Sequence, residues 1–118
     1  MHPLQITFRG MPHSDSLETH VRRRAAKLDR FFPRVTSCRV VVDADARHSR
    51  HGSRYRVTID ICVPRAELAV ARNAADDRTR EDAHAAVDDA FGDAERRLEE
   101  WARRIRDDGK RGRDDGTA

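Results

Sequence analysis

The sequence predicts an α+β domain of order β-α-β-β-β-α: a four-stranded mixed sheet with two helices packed on one face. Three observations carry this. Four short stretches alternate apolar and polar residues with a period of two. Two longer stretches repeat apolar residues at helical spacing. One side of each alternating stretch is apolar and the other mainly polar, the mark of a sheet covered on a single face.

The first strand is L-Q-I-T-F-R, Leu4 to Arg9, with Leu4, Ile6 and Phe8 on one side. Gly10, Pro12 and Ser14 break it. A helix follows from about Ser16 to Phe31. Ser14 or Asp15 can cap it, Glu18 suits its positive end, and Leu17, Val21, Ala25, Leu28 and Phe32 form its apolar stripe. Pro33 stops it. The second strand, Ser37 to Asp43, turns Cys38, Val40 and Val42 inward. A polar loop rich in Arg and His spans 44–53. The third strand runs from about Arg54 to Val63 with Tyr55, Val57, Ile59, Ile61 and Val63 inward. Pro64 and Arg65 form a short turn into a weaker fourth strand, Glu67 to Arg72, so these two make a hairpin. The second helix spans about Thr79 to Arg106 on a stripe of Ala83, Val87, Ala90, Phe91, Ala94, Leu98, Trp101 and Ile105. A strand-helix-strand start needs a right-handed crossover, which makes the first two strands parallel.

At 118 residues the chain has the length of one domain. It is read as a single domain over 1–107 followed by a charged, disordered tail over 108–118 that lacks an apolar anchor. No apolar run approaches a membrane span, and the start M-H-P-L-Q-I-T-F-R-G has no signal-peptide pattern, so a cytoplasmic location without membrane contact is expected. Cys38 and Cys62 fall on opposite faces of the sheet, which argues against a disulfide.

Catalytic patterns are missing. His48 and His51 are three apart but sit in a loop without a carboxylate or thiol cluster, so no metal or cofactor is expected. The adjacent pairs Asp76–Asp77, Asp88–Asp89 and Glu99–Glu100 point in different directions on a helix and cannot act as acid/base dyads. No Gly-rich phosphate loop and no nucleophile elbow is present. The chain is therefore expected to have no enzymatic activity and no small-molecule substrate.

Charge carries more information. Lys and Arg number 24 against 21 acidic residues, a net charge of only +3, so any anion-binding surface must come from segregation. On the first helix, with Leu17 at zero and about 100° per residue, the apolar stripe centres near 40°. His20, Arg23, Arg24, Lys27 and Arg30 then fall between about 220° and 340°, a one-sided cationic ridge, with Arg22 on the other flank. On the second helix Arg97 and Arg104 align, beside a parallel row of Arg96 and Arg103 interrupted by Asp93 and Glu100. Such helices can bridge RNA phosphates without reading bases. Aromatics are few and mostly inward, which speaks against base stacking on the open sheet.

Six segments then carry a resemblance. They are L-Q-I-T-F-R at Leu4, A-A-K-L-D-R-F-F at Ala25, S-C-R-V-V-V at Ser37, Y-R-V-T-I-D-I-C-V-P at Tyr55, E-D-A-H-A-A-V-D-D-A-F at Glu81 and E-R-R-L-E at Glu95. In order and spacing they resemble the family of ribosome hibernation promoting factors and ribosome-associated inhibitors, also called sigma-factor modulation proteins, in its short form. The resemblance covers roughly residues 4 to 105. It implies the same fold, topologically like a double-stranded-RNA-binding domain. It further implies a bacterial stress-response factor that occupies the RNA of the small ribosomal subunit and silences translation. The family's cations lie on both helices and carry over to Arg23, Lys27, Arg30, Arg97 and Arg104. Arg24 joins them from the ridge. His84 stands where the family usually has an aromatic, and the loop at 44–53 is more basic than usual. Lacking the long form's C-terminal dimerisation domain, the protein is expected to be a monomer. The alternatives are a protein-interaction modulator of a transcription or stress regulator, and a general double-stranded-RNA binder.

Overall fold

A computed structural model describes residues 3–44, 55–73 and 81–116. The basic loop beyond Ala44, with His48 and His51, and the polar link after Asn73 lie outside the described residues. The elements are β1 (Leu4–Arg9), α1 (Asp15–Phe31), β2 (Ser37–Asp43), β3 (Arg56–Val63), β4 (Ala66–Asn73) and α2 (Glu81–Gly116).

The strands form one sheet in the order β1-β2-β3-β4. β1 runs parallel to β2, with Leu4 beside Cys38, as the crossover through α1 requires. The other two pairings are antiparallel. The β3–β4 turn closes between Val63 and Ala66, and Arg65 takes a positive φ of 68° there. A left-handed backbone at a residue with a Cβ is uncommon, and a negative φ at Pro64 followed by a positive one at Arg65 is the sequence of signs in a type II turn.

The period-two pattern predicts burial well. Cys38, Val40, Val42, Val57, Ile59, Ile61 and Val63 are buried, and both helices cover this face. Leu17, Val21, Ala25 and Leu28 come from α1, and Val87, Phe91 and Leu98 from α2. Among the described residues two buried ones fall outside the expected stripes: Val35, in the connection after α1, and Ala86 on α2. Phe32 is only partly buried, since it stands one residue past the helix, where its backbone N–H caps the Leu28 carbonyl.

On the uncovered face Gln5, Arg39, Asp60 and Ala69 form one cross-strand row, and Arg9, Asp43 and Arg56 another. Opposite charges stand side by side, with Arg39 Nε 3.9 Å from Asp60. Among the described residues this face therefore offers no continuous cationic surface.

The cysteines follow their strand phases. Both are free thiols, Cys38 buried and Cys62 half-buried. Burial, reinforced by the negative charge of Asp60 and by Cys62, pushes the Cys38 thiol up to about 12. It is an inert core group.

One boundary differs from the sequence reading. α2 continues to Gly116, where the helix was expected to end near Arg106 and a disordered tail to begin at 108. No proline intervenes, and a glycine such as Gly109 or Gly112 costs only about 1 kcal/mol inside a helix.

Candidate nucleic-acid interface

α1 positions the candidate cations. Ser14 is its N-cap, its Oγ accepting from the Leu17 N–H at 3.2 Å, with Asp15 and Glu18 in the first turn. The buried stripe fixes the rotation of the helix, and that rotation decides where each basic residue points.

Arg23, Lys27 and Arg30 are exposed, and among the described residues none of the three forms an ion pair. They line the outward surface of α1, away from its buried stripe. Arg22, on the other flank, is held by Glu18 at 2.9 Å.

Arg24 does not belong with them. Its Nη1 donates to Asp88 at 2.7 Å and its Nη2 to Glu95 at 3.3 Å, both on α2. Its guanidinium carbon lies 5.6 Å from the centre of the Phe91 ring. Its Nε is buried without a hydrogen-bond partner. With its side chain only 19% exposed, Arg24 joins the two helices and is set apart from the exposed cations of the ridge. His20 is turned the same way, with Nε2 2.8 Å from Asp88. Partial burial works to raise the Asp88 carboxyl, but the hydrogen bonds and charges of Arg24 and His20 outweigh it and hold the group below the usual carboxylate range. His84 completes the junction, its Nε2 3.0 Å from Ser16 Oγ and its ring 5.2 Å from that of His20.

On α2 the two arginine rows have different surroundings. Arg97 donates to the Ala69 carbonyl of β4 at 3.4 Å, and Asp93 pairs with Arg72 of β4 at 3.1 Å. The row of Arg97 and Arg104 thus overlooks the β4 edge, on the flank opposite to Asp88 and Glu95. Arg96 and Arg103 lie between, and Arg96 is tied to Asp93. The exposed cations of α1 and the Arg97/Arg104 row are therefore separated by the breadth of α2. They border the two sides of one outward helical surface.

Other chemistry is not gathered here. Among the described residues no group of three or more His, Cys, Asp or Glu side chains could hold a metal ion. No described helix is long and apolar enough to cross a membrane.

A family model described as Sigma 54 modulation protein / S30EA ribosomal protein matches residues 4–106. The chain belongs to that family. The match takes in all four strands, α1 and the part of α2 that packs on the sheet. Two solved structures share the fold. A ribosomal subunit interface protein from Coxiella burnetii is similar over 85% of this chain and 97% of its own, with a TM-score of 0.68 at 12% identity. The N-terminal domain of Protein Y from Thermus thermophilus is similar over 86% of this chain and 99% of its own, with a TM-score of 0.65 at 22% identity. A sequence comparison with curated proteins gives no match. At these identities the two structures speak for the fold alone. Within this family fold, the junction formed by Arg24, His20 and His84 could be found in sequence only by pairing α1 with carboxylates more than sixty positions away.

Proposed function

We propose that this protein is a cytoplasmic, non-enzymatic ribosome-binding factor. It docks on the RNA of the small subunit through its helical layer and holds translation silent under stress. One observation carries the reading. In a chain of the S30EA ribosomal protein family, α1 presents Arg23, Lys27 and Arg30 to solvent, and among the described residues no carboxylate pairs with them. Nearby cations of the same helix are paired. Exposed guanidinium and ammonium groups in a row suit phosphates at intervals along an RNA backbone.

Arg97 and Arg104 form the second border. A backbone segment lying across both helices meets cations on each side, a mode of contact that follows RNA shape and leaves bases unread. The names of the two structural neighbours, a ribosomal subunit interface protein and Protein Y, agree with this assignment. The uncovered sheet face, with its alternating charges, takes no part.

Sedimentation tests the proposal. Purified protein mixed with dissociated ribosomal subunits should travel with the small subunit at low salt. It should be released as salt rises, with log affinity falling linearly in log salt. Failure to comigrate at low salt overturns the reading. Binding to any RNA duplex with equal strength replaces it with a general double-stranded-RNA binder.

A further inference from the structure

Helical periodicity places Trp101 and Ile105 on the buried stripe of α2, yet here the stripe emerges. Trp101 is only half-buried and Ile105 is 38% exposed. Phe31, the last residue of α1, is 61% exposed. Between the α1–β2 connection and α2 lies a cleft of about 280 Å³, lined by Arg34, Trp101, Ala102, Ile105 and Arg106. Its walls hold two guanidinium groups, one indole and no carboxylate. Neither Arg34 nor Arg106 forms an ion pair among the described residues. Arg34 follows Arg30, the last cation of the α1 row, by four positions.

We infer that this cleft receives a single unpaired RNA base, stacked on Trp101, with its neighbouring phosphates on Arg34 and Arg106. The inference rests on the proposed RNA contact and deepens it. The α1 row holds a backbone irrespective of sequence, whereas this cleft takes a nucleotide that has left its helix. Several features favour a base over other occupants. An indole anchored against the core but open on one side is a preformed stacking platform, and every base has a π face to offer it. The partner must also accept two cations, which phosphates on either side of a base do. A second copy docked through the same cleft would set Arg34 and Arg106 against like charges. The volume equals that of roughly nine waters at about 30 Å³ each, which is small for a packed helix.

Trp101 is the only tryptophan in the chain, so its fluorescence reports on the cleft directly. The full-length protein is titrated at low salt with two RNA hairpins, one fully paired and one carrying a single bulged adenosine. Stacking should quench Trp101 with the bulged hairpin and leave it unchanged with the paired one. The bulged hairpin should bind about 5- to 150-fold more tightly, the usual range for one base–aromatic stack. Trp101→Leu should abolish that preference without altering affinity for the paired hairpin. If Trp101→Leu does not fold, Arg34→Gln/Arg106→Gln, which alters no buried group, should narrow the same preference. Equal affinity for both hairpins without quenching overturns the inference and leaves the α1 contact standing. Failure of both hairpins to bind overturns the inference, while the ribosome reading is decided separately by sedimentation with the small subunit. A dimer in solution that Trp101→Leu dissolves would make the cleft a contact between copies and overturn it too.

Discussion

Arg23 and Arg24 are chain neighbours on α1 and have opposite surroundings. Arg24 lies between the helices with two carboxylates and an aromatic face around it. Arg23, with Lys27 and Arg30, faces solvent without a partner among the described residues. One step of about 100° around a helix separates a cation that holds the fold from one available to another molecule. Similarity of residue type therefore says little about role. What decides is whether α2 brings an acid to that side, and it brings Asp88 and Glu95 to one flank only.

The largest expected effect is on binding. Replacing Arg23, Lys27 and Arg30 together by Gln should weaken small-subunit binding and lower the salt slope of log affinity by about 2 to 2.7, at roughly 0.7–0.9 per phosphate contact. The melting temperature should stay near that of the native chain, because exposed charges contribute little to stability. An unchanged salt slope would break the contrast by showing that these cations are as idle as any surface charge.

The opposite pattern is expected of Arg24→Met. It should lower stability by about 1–3 kcal/mol, read by denaturant unfolding, since Asp88 and Glu95 lose their partner in a partly buried setting. The half-exposed Asp88 keeps the cost toward the lower end. At temperatures where the variant is folded, its salt slope on the ribosome should equal that of the native chain. A reduced slope would return Arg24 to the RNA-binding set.

Acid sharpens the same point. Asp88 has its folded pKa below its unfolded value, so its contribution is complete above the unfolded pKa of about 3.9. That contribution is lost as pH falls through the folded value. Unfolding measured below about pH 4 should therefore show a shallower acid limb in Asp88→Asn than in the native chain. Arg24→Met should flatten it as well, by returning Asp88 toward its ordinary range. Identical acid limbs in all three would mean that the junction is electrostatically idle.

Arg22→Gln should have the smallest effect. Its pair with Glu18 is an exposed i,i+4 contact worth about 0.3–0.5 kcal/mol. Thermal melts should scarcely move, and ribosome binding should fall far less than for the triple variant. Equal losses would mean that bulk charge alone matters.

Much of this molecule is legible in its sequence, and the unread parts share a cause. Val57 to Val63 alternate because the sheet has one covered face, and Ser14 caps because it precedes an amphipathic run. Both are local rules. Arg24 sits at the rim of the apolar stripe, where a wheel drawn for α1 alone cannot separate ridge from junction, because the deciding carboxylates belong to α2. Arg97 looks like half of a free row until β4 supplies the Ala69 carbonyl. Trp101 and Ile105 keep helical spacing, but periodicity does not say where the core beneath them ends. Arg23, Arg24, Lys27, Arg30, Arg97 and Arg104 are thus all legible as basic helix positions. The division of labour among them depends on tertiary neighbours.

The parallel edge strand has a consequence for how the molecule opens. β2, β3 and β4 follow one another in the chain and pair as a meander, whereas β1 reaches β2 only after α1 has been laid across the sheet. Pairings between distant segments carry the greater loop-closure cost. β1 and α1 should therefore form the least protected cooperative unit, and amides of β1 should exchange with solvent before those of β3. Each such excursion carries Arg23, Lys27 and Arg30 away from the rest of the helical layer. A ribosome gripping α1 would oppose it by mass action and slow exchange along β1, a strand that need not touch RNA at all.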